Sequence, residues 1–124
     1  FLYGLVFITS VEMPDVEGDR LGGKPTLMVR KGCAFGFSLI LLAASLATFA
    51  IAWMAMAGTF MPYLNLWPIV LISAIPLASA VWGMLAPCAG RQCLLKRVRT
   101  NIAAYFLFVG MVSGYLLLIA AWAG

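Results

Sequence analysis

The sequence predicts an all-α fold, a multi-span bundle of transmembrane helices, and three observations support that prediction. The 124 residues are 65% hydrophobic and only 10% charged, whereas soluble domains carry about 25% charged residues. Three apolar stretches, each close to the roughly 20 residues that cross a bilayer, contain no charged residue. No strand-like alternation and no heptad repeat competes with them. The composition therefore indicates an integral membrane protein.

The first 32 residues are predicted to lead into this bundle. Residues 1–11 are apolar but cover only about half of a span, so we expect the tail of a helix whose start precedes this chain. Residues 12–32 hold four glycines and two prolines, a density that disfavours one long helix. We expect a short helix over 14–21 and a loop over 22–25. The chain as a whole, residues 1–124, is predicted to be the C-terminal part of a single membrane domain.

Three full spans are predicted, at residues 33–57, 68–86 and 102–124. At 1.5 Å per residue the first measures about 37 Å, enough to cross a hydrocarbon core of about 30 Å. The linker at 58–67 is uncharged and contains Tyr63 and Trp67, which suit the membrane interface. The second linker, at 87–101, is polar, and we expect a loop there.

The charges predict the orientation of these spans. Crossing the bundle in order puts residues 12–32 and 91–99 on one side and the uncharged linker on the other. All eight basic residues then fall on one side, which is the cytoplasmic side by the positive-inside rule. The same rule explains the net charge of +4 better than nucleic-acid binding does, because the bases adjoin apolar spans. We expect a multi-pass protein of the cell membrane with no nucleic-acid partner.

All four acidic residues of the chain lie within residues 12–19, at Glu12, Asp15, Glu17 and Asp19. In a continuous helix Glu12, Asp15 and Asp19 would share one face, because residues three and four apart are neighbours. Glu17 would point away. Three stacked carboxylates near lipid need a counter-charge, and Mg²⁺ is held by carboxylates together with substrate phosphates.

Basic residues follow the acidic cluster directly. Side chains of this type bind phosphate oxygens, and the metal would join a diphosphate to the carboxylates. The candidates for direct binding of the diphosphate are Lys24, Arg20 and Arg30. A charged, solvated interhelical loop explains the same residues, and the spacing alone leaves the two interpretations open.

Residues 12–32, E-M-P-D-V-E-G-D-R-L-G-G-K-P-T-L-M-V-R-K-G, closely resemble the second aspartate-rich motif of the UbiA superfamily of intramembrane prenyltransferases. That motif looks like D-x-x-x-D, often D-x-x-G-D, followed by G-K-x-T and V-R-x-G. Asp15 and Asp19 match its two aspartates. The surrounding matches are Gly18, Gly23, Lys24, Thr26, Val29, Arg30 and Gly32.

The resemblance implies a function and a fold. It implies Mg²⁺-dependent transfer of a prenyl group from a polyprenyl diphosphate to a lipophilic, often aromatic, acceptor in the membrane. Quinone precursors, chlorophyllide-like rings, haem and glycerol lipids are acceptors of similar families, and all of them stay candidates. Asp15 and Asp19 would be the catalytic residues that bind Mg²⁺ and diphosphate, and Glu12 would assist at the metal. The chain would be the C-terminal portion of the family's nine-helix bundle.

The family's first motif, similar to N-D-x-x-D-x-x-x-D, does not occur in this chain. Half of the diphosphate site would therefore belong to a missing N-terminal half, and we expect the chain alone to be inactive.

Other classes account for the sequence less well. CDP-alcohol phosphatidyltransferases also use a D-x-x-x-D ending, but their motif begins D-G-x-x-A-R, and nothing before Asp15 fits that pattern. Soluble prenyl-diphosphate synthases have a D-D-x-x-D motif and a water-soluble surface, and the three uncharged spans of this chain exclude that class. A non-catalytic membrane subunit or a transporter fragment with a charged cytoplasmic loop stays as the alternative.

The three cysteines, Cys33, Cys88 and Cys93, form no CxxC pair, and the chain has no histidine to complete a zinc site. We expect free thiols near the membrane edge and assign them no role.

Overall fold

The computed structural model describes residues 1–58, 64–85 and 90–123. Within these residues every regular element is helical, and the helices in chain order are α1 Leu2–Glu12, α2 Val16–Leu21, α3 Leu27–Lys31, α4 Cys33–Ala57, α5 Trp67–Leu85 and α6 Arg91–Ala123. A 3₁₀ turn at Met13–Asp15 joins α1 to α2. Three helices, α4, α5 and α6, are long and apolar enough to cross a membrane. The predicted all-α, multi-span fold is confirmed.

The three long helices run antiparallel to their neighbours along the chain, and α1 packs against α4 and α6. At one end of the bundle the Ser38 hydroxyl near the start of α4 lies 3.8 Å from the Met84 sulfur near the end of α5. At the other end the Tyr115 hydroxyl of α6 donates to the Asn65 carbonyl, 2.6 Å away, just before α5. Residues 12–32 and the start of α6 therefore share one end of the bundle.

Four of the six buried residues of α4 are small, as we expect where helices pack closely in lipid, and the other two are Phe37 and Ile40. Gly36, Ala43, Ala44 and Ala47 are buried, while large apolar side chains such as Leu42, Phe49 and Trp53 are exposed at the outside of the bundle. A soluble helix shows the reverse pattern, with its large apolar side chains inside. The outward apolar face of α4 suits a lipid environment.

The predicted second linker is partly wrong. We expect a loop before a span at 102, but α6 begins at Arg91 and continues without a break to Ala123. Residues 91–101 contain no glycine or proline and are rich in strong helix formers. Their polarity determines how deep they lie in a membrane and not whether they are helical.

The other predicted boundaries agree closely with the structure. The first span is α4 itself, and α5 at Trp67–Leu85 replaces the predicted 68–86. Trp67 is the first residue of α5 and is half exposed. Tyr63, Ala86 and Pro87 lie outside the described residues.

Candidate functional site

The acidic motif is a folded-back hairpin of two short helices, which matches the predicted short helix and loop. The turn between α2 and α3 is closed by two backbone hydrogen bonds, from Gly22 N to Gly18 O and from Lys24 N to Asp19 O, both 2.9 Å. Gly23 has a φ of +69°, which a side chain would strain. Thr26 caps α3, since its Oγ1 accepts from the Val29 N–H at 3.4 Å.

Three buried apolar side chains fix this hairpin on the bundle. Met13, Val16 and Met28 are 0%, 8% and 1% exposed. The two methionine sulfurs meet over Gly36 of α4, where a Cβ atom would lie only 3.0 Å from each. The apolar side of the hairpin is therefore packed against α4. The charged side chains of the hairpin are not part of this packed side and are mostly exposed.

The predicted metal ligands lie along the solvent-facing side of this hairpin. Glu12 and Asp15 are exposed, whereas the Asp19 side chain is only 22% exposed and pairs with the Lys24 ammonium at 3.7 Å. Two of the predicted site residues, Asp19 and Lys24, are thus brought together. Arg30, another predicted phosphate ligand, is exposed in the last turn of α3.

The continuous helix that would stack Glu12, Asp15 and Asp19 on one face is interrupted. The 3₁₀ turn at Met13–Asp15 has about 3.0 residues per turn in place of 3.6, and the register of the acidic residues changes there. Within the described residues no group of three or more histidine, cysteine, aspartate or glutamate side chains is close enough to hold a metal ion. Mg²⁺ commonly takes one or two carboxylates and completes its shell with water and phosphate, so Asp15 and Asp19 remain a fitting donor pair.

Glu17 and Arg20 lie on the side of α2 that faces α6. They line a cavity of about 210 Å³ whose other walls come from the 3₁₀ turn, α4 and α6. Asp15 and Asp19 are not among its lining residues. Glu17 pairs with Arg91 of α6 at 3.7 Å, with both side chains about 70% exposed (70% and 67%). Arg20, expected at the diphosphate, thus lines this cavity, whereas Asp19 and Lys24 do not.

Sequence reasoning missed a polar cluster inside the bundle. Arg97, which the positive-inside argument treated as a surface base, is only 5% exposed. Its Nη1 donates to the Gly83 carbonyl at 2.7 Å, and its guanidinium lies 5.6 Å from the centroid of the Phe37 ring. Asn101, one turn further along α6, is 2% exposed. The four-residue spacing of Arg97 and Asn101 was the available signal, because it puts both on one face of a helix.

The cysteines differ in state. Cys33 is a free thiol, as predicted, and lines the cavity beside Arg20. Cys93 is disulfide-bonded, so the predicted free thiol is wrong there. The spacing argument tested only metal and redox motifs, whereas a structural disulfide needs only two Cα atoms within about 7 Å. Cys88 lies outside the described residues.

Comparison with protein-family models, with curated proteins and with solved structures found no match to this chain.

Proposed function

We propose that this chain supplies one half of a Mg²⁺-dependent prenyl-transfer site of the UbiA type, facing the cytoplasm. The observation that carries the proposal is the Asp19–Lys24 pair, a carboxylate whose side chain is 22% exposed and lies 3.7 Å from an exposed ammonium, in a hairpin that closes the end of a membrane bundle. A carboxylate and a cation side by side are what a metal–diphosphate group needs, since each binds one part of it. Asp15 lies one helical turn before Asp19.

Different residues of the hairpin would bind the metal and the diphosphate. Asp15 and Asp19 would hold Mg²⁺, with Glu12 at the exposed edge assisting, and Lys24 and Arg30 would bind phosphate oxygens. Arg20 would act through long-range attraction, because it lines the neighbouring cavity. When bound, Mg²⁺ would neutralise the charge of the departing diphosphate. The exposed position of Lys24, whose side chain is 72% accessible, leaves it free to move from Asp19 to a phosphate.

The prenyl chain and its acceptor would lie in the apolar part of the membrane domain. A prenyl cation needs an environment without water, and the apolar spans provide one. A lipophilic, often aromatic acceptor such as a quinone precursor fits the same environment. The rest of the site, including the first aspartate motif, would come from an N-terminal half, so this chain alone would be inactive.

A second candidate is a non-catalytic membrane subunit or a transporter fragment with a charged cytoplasmic loop. Two observations favour it: Asp19 is paired with Lys24, and Glu17 is paired with Arg91. Charges that neutralise each other in this way are also expected of a loop with no ligand.

Amide substitutions separate the two candidates. Asp15→Asn and Asp19→Asn would be made in a polypeptide that also carries the N-terminal half, and Mg²⁺-dependent transfer of a radiolabelled prenyl group would be measured. Glu17→Gln removes the same charge from the side of α2 that faces α6 and is the matched control. We expect each aspartate variant to lose at least about a hundredfold in kcat/KM, the effect of losing a group that stabilises transition-state charge. Glu17→Gln should stay within a few-fold of the parent. Aspartate variants as active as the parent would favour the non-catalytic candidate.

A further inference from the structure

A groove of about 530 Å³ runs along the outer face of α6 near its N-terminal end. All of its lining residues belong to α6, at positions three and four apart: Gln92, Leu95, Lys96, Arg99, Thr100 and Ala103. Two of them are cationic and none is acidic. Lys96 and Arg99 lie in the middle of the groove, and Ala103 forms its apolar end toward the C-terminal half of α6.

Among the residues that the structure describes, the two cations of this groove have no partner. No ion pair or side-chain hydrogen bond within the described residues engages the Lys96 ammonium or the Arg99 guanidinium. Arg97, between them in sequence, points inward to Gly83. The helical twist thus separates one base used in packing from two bases left outside.

The length of α6 determines the level of this groove in a membrane. Its 33 residues measure about 50 Å at 1.5 Å per residue, whereas the hydrocarbon core is about 30 Å thick. The uncharged stretch from residue 102 onward fills that core. Residues 91–100 then extend about 15 Å beyond it, into the headgroup layer. Below Ala103 the exposed face continues with Phe106 and Leu107, which are 58% and 54% exposed.

We propose that this groove binds an anionic phospholipid. The headgroup phosphate lies between Lys96 and Arg99, and an acyl chain follows Ala103 and Phe106 into the hydrocarbon. A free phosphate or an acidic peptide would use the two cations but would leave the exposed apolar side chains of Ala103, Phe106 and Leu107 without a partner. A phospholipid matches the cations, these apolar side chains and the level of both in the membrane. The site shares no residue with the Asp15–Asp19 motif and does not depend on the proposed prenyl transfer.

Native mass spectrometry of the purified chain in a non-ionic detergent tests this proposal. Phosphatidylglycerol and phosphatidylcholine would be added at equal concentrations, with inorganic phosphate in a separate arm. We expect phosphatidylglycerol to be retained in preference to phosphatidylcholine and inorganic phosphate not to be retained. Each basic residue near an anionic lipid surface contributes about fivefold in affinity, so Lys96→Gln/Arg99→Gln should reduce retention by at least about tenfold.

The matched control is Lys31→Gln/Arg91→Gln, which removes the same charge at the same end of the bundle from residues that do not line the groove. It should retain phosphatidylglycerol like the parent. Equal retention of the two lipids would overturn the proposal, and so would an equal loss of phosphatidylglycerol retention in the two double variants. A lipid-free dimer that dissociates when Lys96 and Arg99 are replaced would overturn it as well. Inorganic phosphate retained as tightly as the lipid would also overturn it, since the acyl chain would then contribute nothing. Circular dichroism would confirm that every variant keeps its helical content.

Discussion

Nη1 of Arg97 donates a hydrogen bond of 2.7 Å to the carbonyl oxygen of Gly83, two residues before the end of α5. The last carbonyls of a helix have no partner within the helix, and a cation near them also meets the negative end of the helix dipole. Arg97 of α6 therefore caps the C-terminal end of α5. Gly83 also lies close to α4, since a Cβ atom there would lie 3.2 Å from the Phe37 ring.

Replacing Arg97 with methionine should destabilise the bundle. The change removes a hydrogen bond to a charged donor and leaves a buried carbonyl, which costs about 1.5–3 kcal/mol of unfolding free energy. Arg99→Met, two residues further on at an exposed position, is the control and should change the value by less than about 0.5 kcal/mol. Unfolding in detergent, followed by circular dichroism, measures both. Equal stability of the two variants would mean that the Arg97–Gly83 contact contributes nothing.

Gly36 should tolerate no larger side chain, because α4 and the acidic hairpin meet there. Gly36→Val would push against Met13 and Met28 at about 3.0 Å, and overpacking of this kind costs about 1–3 kcal/mol. The hairpin should then leave α4, and trypsin should cleave after Arg20 and Arg30 faster than in the parent. Gly110→Val in α6, where nothing lies within 4 Å, should leave the cleavage rate unchanged. Cleavage at the parent rate in Gly36→Val would contradict the packing that we describe.

The fold was predictable because hydropathy and span length are local properties that no packing detail can reverse. The same reasoning failed at residues 91–101, where polarity was taken to indicate a loop, although the helix formers there begin α6 already at Arg91. It also treated Arg97 as a surface charge. Position 97 is buried only because α4 and α5 pack against it. Contacts of this kind between helices cannot be predicted from the sequence of one helix alone.

The candidate site was predictable in part. The positions of glycine and proline predicted a short helix and a turn, and the turn brings Asp19 and Lys24 together. Stacking Glu12 with the aspartates assumed one continuous helix, which the 3₁₀ turn at Met13–Asp15 interrupts. The Glu17–Arg91 pair joins residues far apart in the chain, so no local pattern could have predicted it.

The turn that places Lys24 beside Asp19 should depend on Gly23. With a φ of +69°, an alanine at this position costs about 1–2 kcal/mol, and the hairpin should open more often. The Lys24 amide, which donates to the Asp19 carbonyl at 2.9 Å, should then exchange its hydrogen about tenfold faster. Hydrogen–deuterium exchange with fragmentation at single residues measures this rate. Gly18→Ala, in α2 with open space around it, is the control and should exchange no faster than the parent. Equal rates in the two variants would show that the turn does not need Gly23.

The Glu17–Arg91 pair should contribute little to stability, although it joins the acidic hairpin to α6. Both side chains are mostly exposed, at 70% and 67%, and 3.7 Å apart, and exposed ion pairs of this kind contribute about 0.2–1 kcal/mol. A double-mutant cycle with Glu17→Gln and Arg91→Gln in detergent should give a coupling energy below about 1 kcal/mol that falls further at high salt, because salt screens exposed charges. A salt-insensitive coupling of several kcal/mol would mean that the pair is shielded from water. In that case the cavity beside it, lined by Arg20 and Cys33, would be closed in the membrane and not open to solvent.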